Sequence, residues 1–301
     1  MRLLALALLL CPLAAQAELA ACNEDKALFD TTLQEELPIS SPEPPVWEEG
    51  WCVLRNLQAD DPAETFRIRI ETLRWKRVGL APRPSNWPSS GTLELHAEGI
   101  RMHATSGPPL LDYGLRIQSQ PYPSRVTLIA AYDAESRAIT ITRAEIDLPY
   151  ENGITLRDTR FTHGPGFTAP LVALTTLRLH ALSLDIESHG FFETNALLPL
   201  LTALGDMEED PEPQVNALRE EARAYIASLP QALMAEASRA ALGDLLTDLP
   251  NPWGRVALRI EAPNGFGAAN LAPLGLNLGP EALNTVLSSL RLTVDYTRSP
   301  R

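Results

Sequence analysis

Across roughly residues 51–188 the chain alternates apolar and polar side chains with period two. No other feature of the sequence limits the fold as much. Period two sends every second side chain to the same face of an extended strand, so such a run folds as half-buried β-strands, apolar on one face and wet on the other. Phe66-Arg67-Ile68-Arg69-Ile70-Glu71 alternates without a slip. Residues 137–148 and 153–161 continue the theme, with 133–137 as a turn after the 126–132 run. Two segments are related, since Leu93-Glu94-Leu95-His96-Ala97-Glu98-Gly99-Ile100-Arg101-Met102 aligns with Leu177-Arg178-Leu179-His180-Ala181-Leu182-Ser183-Leu184-Asp185-Ile186. In both, apolar positions run i, i+2, i+4 and then shift by one. A change of face inside a strand is what a β-bulge produces, and Gly99 suits one. Ile146 and Leu148 are offset in the same way from Ile139 and Ile141. Repeated bulges bend a sheet. The plainer alternative is a chance likeness of two amphipathic strands.

At about Phe191 the period changes. Residues 195–204 make a compact apolar helix candidate, and 206–213 an acidic, proline-bearing break. Val215, Leu218, Ala222, Tyr225/Ile226 and Leu229 then recur at helical spacing, with the preceding acids suited to the positive end of a helix dipole. Ser228-Leu229-Pro230-Gln231 reads as a new helix start, a cap with a glutamine three residues on. That helix would present Leu233, Ala237, Ala241, Leu245 and Leu246 and end near residues 250–252. Strand signals return at Val256, Leu258 and Ile260, Pro280 opens a short helix to about residue 289, and Leu290, Leu292, Val294 and Tyr296 alternate with polar residues. Strands flanking a helical block are an α+β order. The expected fold is α+β, a curved, mainly antiparallel sheet with β-bulges packed against a C-terminal helical layer.

The N-terminus reads as an export signal. Met1-Arg2 precedes an apolar run over residues 3–15 and the small-x-small site Ala15-Gln16-Ala17, so cleavage is expected near Ala17 and the mature protein in the periplasm or secreted. The run is too short to span a bilayer, and charges and prolines interrupt every later apolar stretch. Of three cysteines, Cys11 leaves with the signal. Cys22 and Cys52 remain and are expected to pair in an oxidising compartment, closing a proline-rich loop that has little core of its own. The rival reading takes Leu19-Ala20-Ala21-Cys22 as a lipobox, with a lipoprotein anchored at Cys22; Gln16 and Glu18 intervene after the apolar run, and Cys52 would lose its partner. The organisation is then signal peptide 1–17, a disulfide-tied segment with a Pro-rich linker (18–50), a β-rich region (51–190), and a helical block followed by closing strands (191–301).

Residues 177–192, the helices, the Pro-rich turn, Trp253-Gly254-Arg255-Val256-Ala257-Leu258 and Asn264-Gly265-Phe266-Gly267 together resemble a strand–helices–strand module of exported bacterial proteins. In broad outline, an exported sheet of amphipathic strands is similar to AsmA-like periplasmic proteins associated with lipid and outer-membrane biogenesis. The resemblance covers about residues 177–297. It implies an envelope setting and transfers no catalytic residue.

Direct signs of chemistry are few. His96 and His180 take matching places on the polar face of the related segments, and His96 and His103 are seven apart, which is not a ligand spacing. There is no H-E-x-x-H, paired C-x-x-C, Asp-rich calcium loop or G-x-S-x-G elbow, so no catalytic, cofactor or metal residue is assigned. Gly265-Phe266-Gly267 reads as a flexible turn. With 25 Lys+Arg against 38 Asp+Glu, net −13, nucleic acid is an unfit partner. One basic-aromatic stretch stands out: Arg67, Arg69, Arg74, Trp75, Lys76, Arg77, Arg83 and Trp87. Arg74, Trp75, Lys76 and Arg77 are candidates for contact with an anionic surface; the plainer reading is an outer sheet face balanced by acids of neighbouring strands. Phe66, Ile68, Ile70, Val256, Leu258 and Ile260 are candidates for an apolar groove. The expected function is non-enzymatic: binding an apolar or lipid-like ligand, or envelope maintenance with an envelope-protein partner. The alternatives are an interaction scaffold with a filled core and a secreted hydrolase.

Overall fold

The computed structural model describes residues 18–27, 29–30, 39–60, 66–80, 89–104, 110, 113, 117, 122–165, 175–191, 211–249, 251–272 and 280–300. The signal candidate, the 195–204 helix candidate, Arg83 and Trp87 lie outside them. The chain is mostly β, 53% strand against 28% helix, and its strand pairings are antiparallel where expected. It is therefore more β than the α+β expectation. It divides into two compact units, Met1–Ala134 and Glu135–Arg301, so the division falls inside the stretch read as one β-rich region.

The first unit holds β1 (Ile39–Ser40), β2 (Val46–Glu48), β3 (Trp51–Asp60), β4 (Phe66–Val78), β5 (Gly91–Ala104) and β6 (Ser124–Asp133). They pair in the order β1-β3-β4-β5-β6, with β2 also on β3. Helix α1 covers residues 18–27. Its Cys22 is bonded to Cys52 of β3, which leaves no thiol for the lipobox reading. Around that bond lie Leu54, Leu57 and Trp75, with Phe29, Trp47, Ile70, Leu73 and Leu95 packed against them.

The bulge expected at Gly99 is present. Its φ is +68°, and the β5–β6 register slips by one between Ala97 and Ile100. Asn56 on β3, at φ +55°, sits in a gap of the β3–β4 register between Arg55↔Thr72 and Leu57↔Ile70. Because of these irregularities Leu54 and Leu57, and Ile70 and Leu73, reach the same core although each pair is three residues apart. Strict alternation would have put one of each pair in water.

The second unit is a meander of β7 (Ala138–Leu148), β8 (Asn152–Thr162), β9 (Arg178–His189), β10 (Trp253–Gly267) and β11 (Arg291–Arg298), with helices α2 (Pro211–Ser228), α3 (Glu236–Asp248) and α4 (Pro280–Leu287). The β9 segment related to β5 is also irregular: Arg157↔Ser183, Arg160↔Ala181 and Phe161↔Leu179 do not share one register. Two helix starts differ from expectation. Pro211 and Pro213 lie inside the first turn of α2, where a missing N–H removes no helical bond. The next helix begins at Glu236 rather than near Gln231, because Ser228 Oγ donates back to Tyr225 O, and Leu233 and Met234 are drawn into the core. Leu233 O then accepts from Leu292 N, and Ser238 Oγ accepts from Val294 N, so this segment satisfies the outer edge of β11. Gly265-Phe266-Gly267 is not a turn. It belongs to β10, where the register to β9 jumps between Glu261 and Phe266 and Gly265 takes φ +76°.

Candidate functional site

The strand register of the second unit separates its sheet into two chemically opposite faces, since directly opposed residues point the same way. On one face Ile146, Ile154, Ile186, Val256 and Tyr296 form a row, and Ala144, Leu156, Leu184, Leu258 and Val294 the next. A third row joins Leu182, Ile260 and Leu292. The candidate groove residues Val256, Leu258 and Ile260 therefore stand in the middle of a continuous aliphatic ladder.

Its two ends differ. At β10 and β11, Leu258, Ile260, Leu292 and Val294 pack with Leu229, Leu233, Met234, Ala241 and Leu242. Across β7–β9 the aliphatic side chains Ile141, Ile154, Leu156, Leu182, Leu184 and Ile186 are only half-buried, and Ile146 is 38% exposed. The buried residues of β9 are instead polar, Asp185 and Ser188. Asp185 accepts from Arg255 at 2.6 Å, and Ser188 Oγ donates to Pro252 O. An ordinary two-sided sheet shows the reverse order, with its apolar positions the better covered.

Phe66, Ile68 and Ile70 lie on β4 of the first unit, so the six groove candidates belong to two units. All three are half-buried, and Ile70 packs on the disulfide core.

The basic stretch is divided by its own strand. Trp75 is 1% exposed and donates from Nε1 to Asp25 of α1 at 2.9 Å; Arg77 pairs with the same carboxylate at 2.8 Å. Alternation carries these two to the covered face, which corrects the expectation that Trp75 and Arg77 meet an anionic surface. Arg74 and Lys76 point the other way. Their cations lie 5.2 and 4.4 Å from the Trp51 ring centroid, and each has an acid on β5: Glu98, diagonal to Arg74, at 4.0 Å, and Glu94, opposite Lys76, at 2.8 Å. Hydrogen bonds from Lys76 and then His96 hold Glu94 below the usual carboxylate range. Beside Trp51 a shallow cleft of about 490 Å³ is lined by Glu48, Val53, Arg55, Thr72 and Arg74. Arg55 closes a two-pronged bond on Glu48, at 3.0 and 2.6 Å.

Among the described residues no three His, Cys, Asp or Glu side chains gather as a metal site. Among them no helix is long and apolar enough to cross a membrane. The half-covered ladder escaped the sequence because it depends on cross-strand register; its only trace was the one-sided pattern of each strand. No protein-family model and no curated protein matches the chain.

Proposed function

We propose that this is an exported, non-catalytic protein that holds an apolar, lipid-like ligand against the aliphatic face of β7–β9. The observation that carries this reading is the half-covered ladder. Each fully buried Leu or Ile side chain contributes about 1.5–3 kcal/mol, and a row of them left half-wet forgoes much of that until something apolar covers it. Leu229, Leu233, Met234, Ala241 and Leu242 pack at the β10–β11 end, and the ligand takes the remainder. The Cys22–Cys52 bond suits an oxidising compartment and supports export to the periplasm. The resemblance of residues 177–297 to AsmA-like periplasmic proteins points the same way.

The test is native mass spectrometry and lipid extraction of protein purified from bacteria, followed by displacement of a bound hydrophobic dye by phospholipid. Lipid is expected in the wild type and depleted in Ile146→Glu, a substitution at an already exposed position. Protein free of lipid, with no displaceable dye, overturns the reading and leaves the interaction scaffold.

A further inference from the structure

The opposite face of the same sheet carries arginines that no acid among the described residues answers. Register sets Arg143 opposite Arg157, Arg157 opposite Ser183, and Ser183 opposite Arg259; in the adjoining row Arg160 stands opposite Ala181. Opposed residues lie about 5 Å apart, so Arg157 and Arg259 flank Ser183 at about 10 Å, within joint reach of two long side chains. Arg157, Arg160 and Arg259 are exposed, and among the described residues none of them has an ion-pair or hydrogen-bond partner. Their neighbours are satisfied. Arg143 pairs with Glu145, and Arg255 with Asp185 and Glu187. Glu261, opposite Ala181 on β10, forms no ion pair with the three.

Like charges set opposite or flanking one another destabilise a sheet. Elsewhere Arg55, Lys76, Arg77, Arg101 and Arg298 each hold a carboxylate, on Glu48, Glu94, Asp25, Glu71 and Asp248. The small side chains of Ser183 and Ala181 leave a saddle between the arginines. His180 senses the same local field: its imidazole is held below its ordinary pKa by burial and then by the charges of Arg160 and Arg178.

We propose that Arg157, Arg160 and Arg259, arranged around Ser183, bind a phosphate group. Guanidinium forks approaching from three sides match the several oxygens of a tetrahedral anion, and the Ser183 hydroxyl adds a further donor. Inorganic phosphate and a phospholipid headgroup present the same chemistry. The site is on the face away from the aliphatic ladder, so it stands or falls separately from the apolar ligand.

Calorimetric titration of the full protein with inorganic phosphate, and flotation with vesicles of phosphatidylcholine alone or with added phosphatidic acid, test the proposal. Saturable phosphate binding is expected, weakened about tenfold by Arg157→Gln and by Arg259→Gln, partly kept by Arg157→Lys, and unchanged by Arg69→Gln, the same charge change in the first unit. Melting curves confirm that each variant is folded. Vesicle binding that needs phosphatidic acid and is lost in the same two variants identifies the headgroup as the source; phosphate binding without vesicle binding identifies the free anion. No saturable binding of either probe, or equal losses in Arg69→Gln, overturns the site.

Discussion

At position 254 two separate facts demand glycine. Its φ is +135°, and a Cβ there would stand 2.1 Å from Thr297 O of the paired strand. Backbone oxygen cannot step aside without breaking the β10–β11 ladder, so Gly254→Ala is expected to cost about 2–4 kcal/mol in urea unfolding. Gly50 is the comparison: φ is +86° but nothing lies within 4 Å of its would-be Cβ. Gly50→Ala is expected to cost about 1 kcal/mol, from backbone strain alone. Equal losses at the two positions would mean that the close approach does not matter. His180 makes a second residue-scale prediction. Its folded pKa lies below 6.5, so on acidification the unfolded chain takes up a proton first. The stability this histidine supports is whole above 6.5 and falls as pH drops from there through the folded value. His180→Gln, which can still meet Thr162 Oγ1, is expected to flatten that part of the pH–stability curve. An unchanged slope between wild type and variant would show that His180 titrates normally.

At the scale of elements, α1 is tied to the sheet at two points. It is held by the Cys22–Cys52 bond, which spans 30 residues, and by buried Asp25, which accepts from Trp75 and Arg77. Closing such a loop contributes about 3–4 kcal/mol on the chain-entropy model. Asp25→Ala leaves the Trp75 indole N–H without its acceptor and the Arg77 guanidinium without its counter-charge, with the Leu80 carbonyl as its remaining partner, an expected loss of about 2–4 kcal/mol. Trp75 fluorescence reports both changes. Because both ties hold one helix, combining Asp25→Ala with the double Cys→Ser change is expected to lose less than the sum; strict additivity would show that they act on separate structures. The two ties also differ in legibility. Cys22 and Cys52, once Cys11 is assigned to the signal candidate, have one way to pair, whereas Asp25 is an ordinary helix-surface acid until a strand fifty residues later supplies its donors. The strands were legible through their alternation and the bulge through Gly99, but Asn56 and Asp158 take positive φ with no glycine to announce it. The cap-like Ser228–Gln231 misled for a tertiary reason. Leu233 and Met234 are needed along β11, and that need overrides a local capping pattern.

Over the molecule as a whole, net charge is −13, yet the second unit keeps arginines with no ion pair among the described residues on one sheet face and half-covered aliphatics on the other. Neither face could be read from composition, because each exists only once five strands are in register. The two proposed sites rest on different forces, and salt separates them. At about 0.1 M the Debye length is about 10 Å, so the overall negative field is damped within one side-chain length and anion binding depends on the local guanidinium cluster. Raising salt from about 0.05 M to about 0.5 M screens that cluster as well and supplies competing anions, so phosphate affinity is expected to fall at least about tenfold. Apolar burial has no such dependence and is held or slightly strengthened by salt excluded from the surface. Dye held on the aliphatic face is therefore expected to change less than about twofold over the same range. Fluorescence and calorimetry on one protein sample read both curves. Parallel loss of dye and phosphate would mean a single charged site binding both probes, and would remove the two-faced reading of the sheet.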